Sequence, residues 1–319
     1  MGGINFSHNI SKEIWEDKIM KRLALLLAAM GIISVGAMAE ELKVTNFGQE
    51  IEIENSDGGV GDIDSIYFAN TVGLKYGTWS FAVQGGKFWS WDSEKGFNSE
   101  NARLQIDAWK QVSDNLKLGY RLRAQKEYDR HYARWAYTND WFWSSGDVWY
   151  EATNTNGVGS PDWYKAEVFP VGIKYGDLKA GYFLNYNWVA GNVKDGEQED
   201  YIEHQIRLYY PLYKGEKFNL NFEGRFTLAA DLGYKGTKEY RHYDNFGRTR
   251  LYLRPSYKVS EALTVYGYYG YEFKDYKYEN KATRQTFDGK GGSNNYQDIG
   301  IGWKLSSMKI LLTNCSFQC

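Results

Sequence analysis

The sequence predicts an all-β fold, a transmembrane antiparallel up-and-down β-barrel, on three observations. An export signal lies near the start, apolar and polar side chains alternate with period two along most of the remainder, and the connections are alternately short and long. The 319 residues are 43% hydrophobic and 17% aromatic, with 27 Tyr, 12 Trp, only 4 Pro and a formal net charge of -2. That profile is too aromatic for disorder and too polar for a bundle of spanning helices. A balance so close to neutral leaves no basic footprint for nucleic acid. Cys315 and Cys319 both lie in the last five residues, so there is neither a disulfide framework nor a zinc pattern.

From Met20 the chain has a basic pair, Lys21 and Arg22, an apolar stretch from Leu23 to about Val35, and then Ala37-Met38-Ala39. This is the three-part build of a signal peptide, and it is too short for a spanning anchor. Trp15-Glu16-Asp17 allows a codon run containing GGGAGGA, a ribosome-binding purine tract ahead of Met20. The expected organisation is therefore a translated leader over 1–19, a signal peptide over 20–39, a barrel over 40–305 and an atypical tail over 306–319. Export by a signal peptide places such a barrel in the outer membrane of a Gram-negative cell.

Strands are expected near 46–54, 65–76, 79–91, 100–112, 116–128, 163–175, 178–190, 201–213, 218–230, 246–258, 262–275 and 294–305, twelve in all. Over 116–124, Leu116, Leu118, Tyr120, Leu122 and Ala124 share one face, opposite Lys117, Gly119, Arg121 and Arg123. Over 178–188, Leu178, Ala180, Tyr182, Leu184, Tyr186 and Trp188 oppose Lys179, Gly181, Phe183, Asn185 and Asn187. Phe218, Leu220, Phe222, Phe226 and Leu228 oppose Asn219, Asn221, Glu223, Arg225 and Thr227, and Leu251 and Leu253 oppose Arg248, Arg250 and Arg254. In lipid every backbone N–H and C=O must be paired internally, so a spanning sheet must close, with an apolar outer face and an inner face free to be wet.

Tight turns at 76–78, 113–115, 175–177, 214–216 and 259–261 alternate with longer links around 55–63, 92–99, 129–162, 191–200, 231–245 and 276–293. Short and long sides are expected never to mix, with the short turns on the periplasmic side. Pro170, Pro211 and Pro255 fall near the ends of descending strands, where a missing donor matters least. The segment 129–162 holds Trp135, Tyr137, Trp141, Phe142, Trp143, Trp149 and Tyr150, enough for an extra hairpin that would raise the count to fourteen. A soluble sandwich or propeller would use the same turns but bury the apolar face.

With the apolar face toward lipid, the expected pore lining comprises Arg103, Lys117, Arg121, Arg123, Lys179, Arg207, Arg225, Arg248, Arg250, Arg254, Lys274 and Lys304. Facing them are Asp107, Glu203, Glu223, Glu272 and Asp298. This positive excess predicts a weak anion preference in a water-filled passage. Arg121, Arg123, Arg248 and Arg250 are the sharpest set, because arginines two apart on a strand point the same way. The plainer alternative is that arginines and acids pair across strands and stiffen the wall. Trp188, Phe218, Tyr257 and Trp303 are expected in the interfacial girdles.

The cluster from Trp135 to Trp149 reads as a sugar-stacking platform, a lid or a self-packed loop outside the lipid band. An aromatic extracellular loop of that kind would also suit an adhesin or a purely structural barrel. Catalysis is not expected: His131, His204 and His242 alone remain after processing, and no serine shares the His204 strand. No cofactor or metal site is expected; acidic loops such as Glu197-Gln198-Glu199-Asp200 would hold a cation only nonspecifically.

Three stretches resemble the outer membrane porin G family. They are Glu50-Ile51-Glu52-Ile53-Glu54-Asn55-Ser56-Asp57-Gly58, then Gln205-Ile206-Arg207-Leu208-Tyr209-Tyr210-Pro211-Leu212, and a discontinuous set from Arg241-His242-Tyr243-Asp244-Asn245-Phe246-Gly247-Arg248 through Tyr271-Glu272-Phe273 to Gly300-Ile301-Gly302. The resemblance implies a monomeric, fourteen-stranded, general-diffusion porin in outer-membrane lipid that passes ions and small hydrophilic solutes including oligosaccharides. Twelve-stranded oligosaccharide porins are also similar. The resemblance further implies closure at low pH by an extracellular loop under two facing histidines. His242 matches one of these positions, and the other falls near Tyr276, which does not titrate near neutrality.

Overall fold

The computed structural model describes residues 42–56, 62–154 and 161–306. The expected leader, the signal peptide and the tail beyond Ser306 lie outside the described residues.

Fifteen β-segments follow one another: β1 (Lys43–Ser56), β2 (Ile63–Tyr76), β3 (Trp79–Asp92), β4 (Gly96–Ser113), β5 (Leu116–Gln125), β6 (Tyr128–Thr138), β7 (Phe142–Thr153), β8 (Asp162–Tyr175), β9 (Leu178–Ala190), β10 (Gln198–Lys214), β11 (Phe218–Tyr234), β12 (Glu239–Asp244), β13 (Arg248–Lys258), β14 (Leu263–Asn280) and β15 (Thr286–Ser306). Sequence neighbours pair around the sheet, and β1 pairs antiparallel with β15, so the sheet closes on itself. β12 and β13 both lie between β11 and β14 and are two halves of one wall strand. The barrel is therefore an all-β, closed, antiparallel structure of fourteen strands. Closure removes the unpaired edges that an open sheet of this length would present.

Fourteen replaces the count of twelve. The extra pair is the hairpin β6–β7, formed by the aromatic segment counted from sequence as a link but able to supply an extra hairpin. Its rings divide between the two faces of the wall. Trp149 and Tyr132 stack at 4.9 Å on the inner side, while Trp135 covers Gly146 on the outer side. The segment is therefore wall and not an external lid or a self-packed loop, and an adhesin loses the loop that its reading rested on.

The break at 245–247 carries its own backbone signature. Asn245 and Phe246 both adopt left-handed conformations, with φ of 46° and 66°, a region that side chains other than glycine and asparagine disfavour. Across this kink Phe246 N donates to Thr227 O at 3.0 Å, which keeps β13 in register with β11.

The turns at one end are as tight as expected; Gly77 and Gly176 supply the positive φ that the two-residue connections need. At the other end the strands run on into what the sequence suggested were links. β14 continues to Asn280 and β15 begins at Thr286, so the expected 276–293 link is mostly hairpin. β5 and β6 are joined there by Lys126 and Glu127 alone, so short connections do occur on the long side. At the β3–β4 turn, Asp92 accepts from the backbone N–H groups of Lys95 and Glu94, both at 2.9 Å, which holds its carboxyl below the ordinary aspartate value.

All three prolines sit where the ladder is interrupted. Pro170 lies within the Val168/Val171 irregularity and Pro211 begins another, while at Pro255 the pairing with β14 passes from Leu253 to Ser256. A residue without an N–H is accommodated at such gaps.

The faces separate by chemistry. Leu118, Tyr120, Leu251, Leu253, Ile299 and Ile301 are exposed on the outside, whereas Glu203, Glu223, Glu272 and Asp298 are shielded on the inside, at 2%, 6%, 2% and 5% exposure. On β14 the outer row passes from Tyr269, Tyr271 and Phe273 to Asp275 and Lys277, which marks the upper limit of the apolar band.

Candidate functional site: the charged inner wall

Register alone places the expected lining residues together. Arg250 stands opposite Arg225 and Glu272, Arg254 opposite Asn221, Arg207 opposite Arg225, and Arg121 opposite Asp107. All seventeen expected residues fall on the inner face of the wall, yet they do not behave as one set.

Most are paired. Glu272 accepts from Arg250 at 2.6 Å and lies 3.3 Å from both Arg248 and Lys274. Arg248 also reaches Glu203 at 3.2 Å and the Tyr201 hydroxyl at 2.7 Å. Glu223 holds Arg225 at 2.7 Å and Arg254 at 2.9 Å. On the other side of the barrel, Asp107 binds Arg121 at 2.7 Å and Arg134 at 2.5 Å, and Arg134 continues to Asp147 at 2.7 Å. For Arg121, Arg248 and Arg250, the plainer expectation of cross-strand pairing is what the geometry shows.

Three arginines differ. Arg103, Arg123 and Arg207 each donate through Nε to a glutamine, namely Gln125 at 3.2 Å, Gln105 at 2.9 Å and Gln205 at 2.7 Å. Aromatic rings support all three: Arg103 lies 4.8 Å from the Tyr67 ring, Arg123 5.9 Å from that of Tyr132 and Arg207 3.3 Å from that of Phe183. A neutral acceptor and a ring face orient a guanidinium without cancelling its charge.

The sequence missed two groups. Arg130, Arg134, Asp147 and Glu151 were hidden in the segment read as a link, and Lys165, on the expected strand 163–175, was left out of the lining; Glu151 pairs with both Arg130 and Lys165. The alternation of Tyr128, Arg130, Tyr132 and Arg134 was the signal that would have found them. The second group is the acidic row Glu50, Glu52 and Glu54 on β1, beside Asp298 on β15. Tyrosines, not cations, hold it: Tyr268 donates to Glu52 at 2.8 Å, Tyr296 to Glu54 at 2.5 Å and Tyr252 to Asp298 at 2.8 Å.

Inner rings lie flat because the facing position is often glycine. A Cβ added to Gly270 would meet the Tyr252 ring at 2.3 Å, and one on Gly300 the Tyr268 ring at 2.1 Å. Glycine there lets the tyrosines lean along the wall toward the acids instead of into the lumen.

His242 departs from its expected role. Its register partners are Asp231 and Lys277, on the outer face above the apolar band, and its Nδ1 is 2.5 Å from Asp231. Tyr276 packs instead on Tyr243 at 5.9 Å, on the inner face. The two positions implied to face each other lie on opposite sides of the wall. His131 and His204 are also outward, bonded to Tyr120 at 2.7 Å and Tyr182 at 2.6 Å. The loop acids have protein partners: Glu199 pairs with Lys281 at 3.0 Å, and Glu197 accepts from Lys194 N at 3.0 Å.

No protein-family model and no curated protein matches the chain. Among solved structures it is similar to OmpT, an outer membrane protein of Vibrio cholerae, at 15% identity and a TM-score of 0.42, over 85% of this chain and 99% of that one. It is also similar to the anion-selective porin from Comamonas acidovorans, at 11% identity and 0.42, over 84% and 100%, and to the NanC porin, at 12% and 0.37, over 82% and 100%. The barrel is established by its own strand pairing, closed through β1 and β15.

Proposed function

We propose that the protein is a porin of the Gram-negative outer membrane, a water-filled channel for passive diffusion of ions and small hydrophilic solutes, oligosaccharides included, with a weak preference for anions. The observation that carries this reading is the closed fourteen-stranded wall, apolar outside and densely charged inside. Burying so many ionised groups in a dry core would be costly, whereas a solvated lumen accommodates them. The anion preference rests on Arg103, Arg123 and Arg207, which among the described residues have no carboxylate at hydrogen-bond distance. The channel works as a single chain, since its wall closes without a second copy, and its partners are outer-membrane lipid and the passing solutes. There is no part for nucleic acid or a catalytic group.

Planar-bilayer recording tests this. Stable single-channel steps, a reversal potential on the anion side in a salt gradient, and swelling of liposomes in neutral sugars are expected. A barrel that inserts but passes neither ions nor sugars would overturn the reading.

A further inference from the structure

β1 and β15 are the first and last strands, and their pairing is the seam that closes the barrel. Glu54 stands opposite Asp298 in that seam, and Glu52 opposite Gly300. A carboxylate oxygen from each of Glu52, Glu54 and Asp298 lies within 4.8 Å of the other two. Like charges this close repel unless something positive stands between them. Among the described residues no lysine or arginine forms an ion pair with any of the three; Arg250 is nearby but pairs with Glu272 and stacks 4.4 Å over the Tyr296 ring.

Two further features point to a ligand. Each carboxylate is held through one oxygen by a tyrosine hydroxyl, which fixes its orientation and adds no charge. The remaining oxygen of Asp298, Oδ1, is shielded from solvent and accepts no hydrogen bond from the described residues, in a residue only 5% exposed. A buried anionic oxygen without a donor, next to two more carboxylates, is a ligand lacking its partner.

We infer that Glu52, Glu54 and Asp298 bind a divalent cation, calcium, which clamps the first strand to the last. The donors are all hard oxygens, with no histidine or cysteine, which excludes a zinc-type site. Oxygens on opposite sides of a calcium ion, at about 2.3–2.6 Å each, stand roughly 5 Å apart, so one ion spans the group; magnesium needs a tighter octahedron. Water and the lumen-facing side complete the coordination. The inference stands on the seam geometry and does not depend on what passes through the lumen.

The test uses the full chain purified in detergent and stripped with EDTA. Terbium, a calcium analogue, is titrated in with excitation of tyrosine, because Tyr252, Tyr268 and Tyr296 touch the ligands directly. Saturable sensitised emission is expected, displaced by calcium at concentrations that leave it intact with magnesium. Calcium should also raise the thermal unfolding temperature of the stripped protein. Asp298→Asn and Glu54→Gln should abolish both effects while the variants keep the gel mobility of a folded barrel; if one variant fails to fold, the other carries the test. Emission that calcium does not displace, or that both folded variants retain, overturns the site, as does a seam satisfied by a shared proton, which binds no terbium.

Discussion

Two parts of the inner wall solve the same problem with opposite charge. On β4, β5 and β10, Arg103, Arg123 and Arg207 are oriented by glutamine carbonyl oxygens; on β1 and β15, Glu52, Glu54 and Asp298 are oriented by tyrosine hydroxyls. In both, a neutral partner fixes geometry and brings no opposite charge. Elsewhere on the wall, around Glu272, Glu223 and Asp107, charges of both signs interlock in ion pairs. The difference separates inner residues that make a field from those that hold the wall together, although all of them look alike along the strand.

The largest effect expected to test this division is in the interlocked part. Glu272→Gln leaves Arg248, Arg250 and Lys274 without their shared acceptor and should cost about 3–5 kcal/mol, read as thermal unfolding in detergent. Glu54→Gln on the seam should cost far less in calcium-free buffer, because it removes repulsion; equal losses would erase the distinction.

Gly270→Val should come next. The added side chain runs into the Tyr252 ring, overpacking worth about 1–3 kcal/mol. Single-channel conductance should fall as the ring is pushed off the wall and away from Asp298.

Replacing Arg103, Arg123 and Arg207 together by Gln should move the reversal potential toward cations, with a stability loss of about 1 kcal/mol per lost ring contact at most. A potential that stays put would mean that the glutamine-held arginines do not set the field. The smallest effect is expected outside both regions: Asn245→Gly relaxes a left-handed backbone and should gain no more than about 1 kcal/mol, with conductance unchanged.

Much of this was legible in the sequence. Alternation placed every expected lining residue on one face, because the side-chain period of a strand is two and needs no tertiary information. It failed over 129–162, where aromatic residues fill both faces: Trp135 lies outward on Gly146 while Trp149 lies inward on Tyr132. Rings on both faces of this hairpin blur the polarity contrast, and only the charged row Arg130, Arg134, Asp147 and Glu151 on the inner face still marks it. The acidic row Glu50, Glu52 and Glu54 was visible only as a resemblance, since its meaning depends on Asp298, more than two hundred residues away.

By itself the sequence determined the fold class, the facing of the strands and the sites of the tight turns, all of which follow from local periodicity and from residues with restricted or permissive backbones. Tertiary structure decided the strand number, the outward position of His242, and which charges pair. Those depend on register between strands, and register sets whether an arginine meets a carboxylate, a glutamine or another arginine across the ladder.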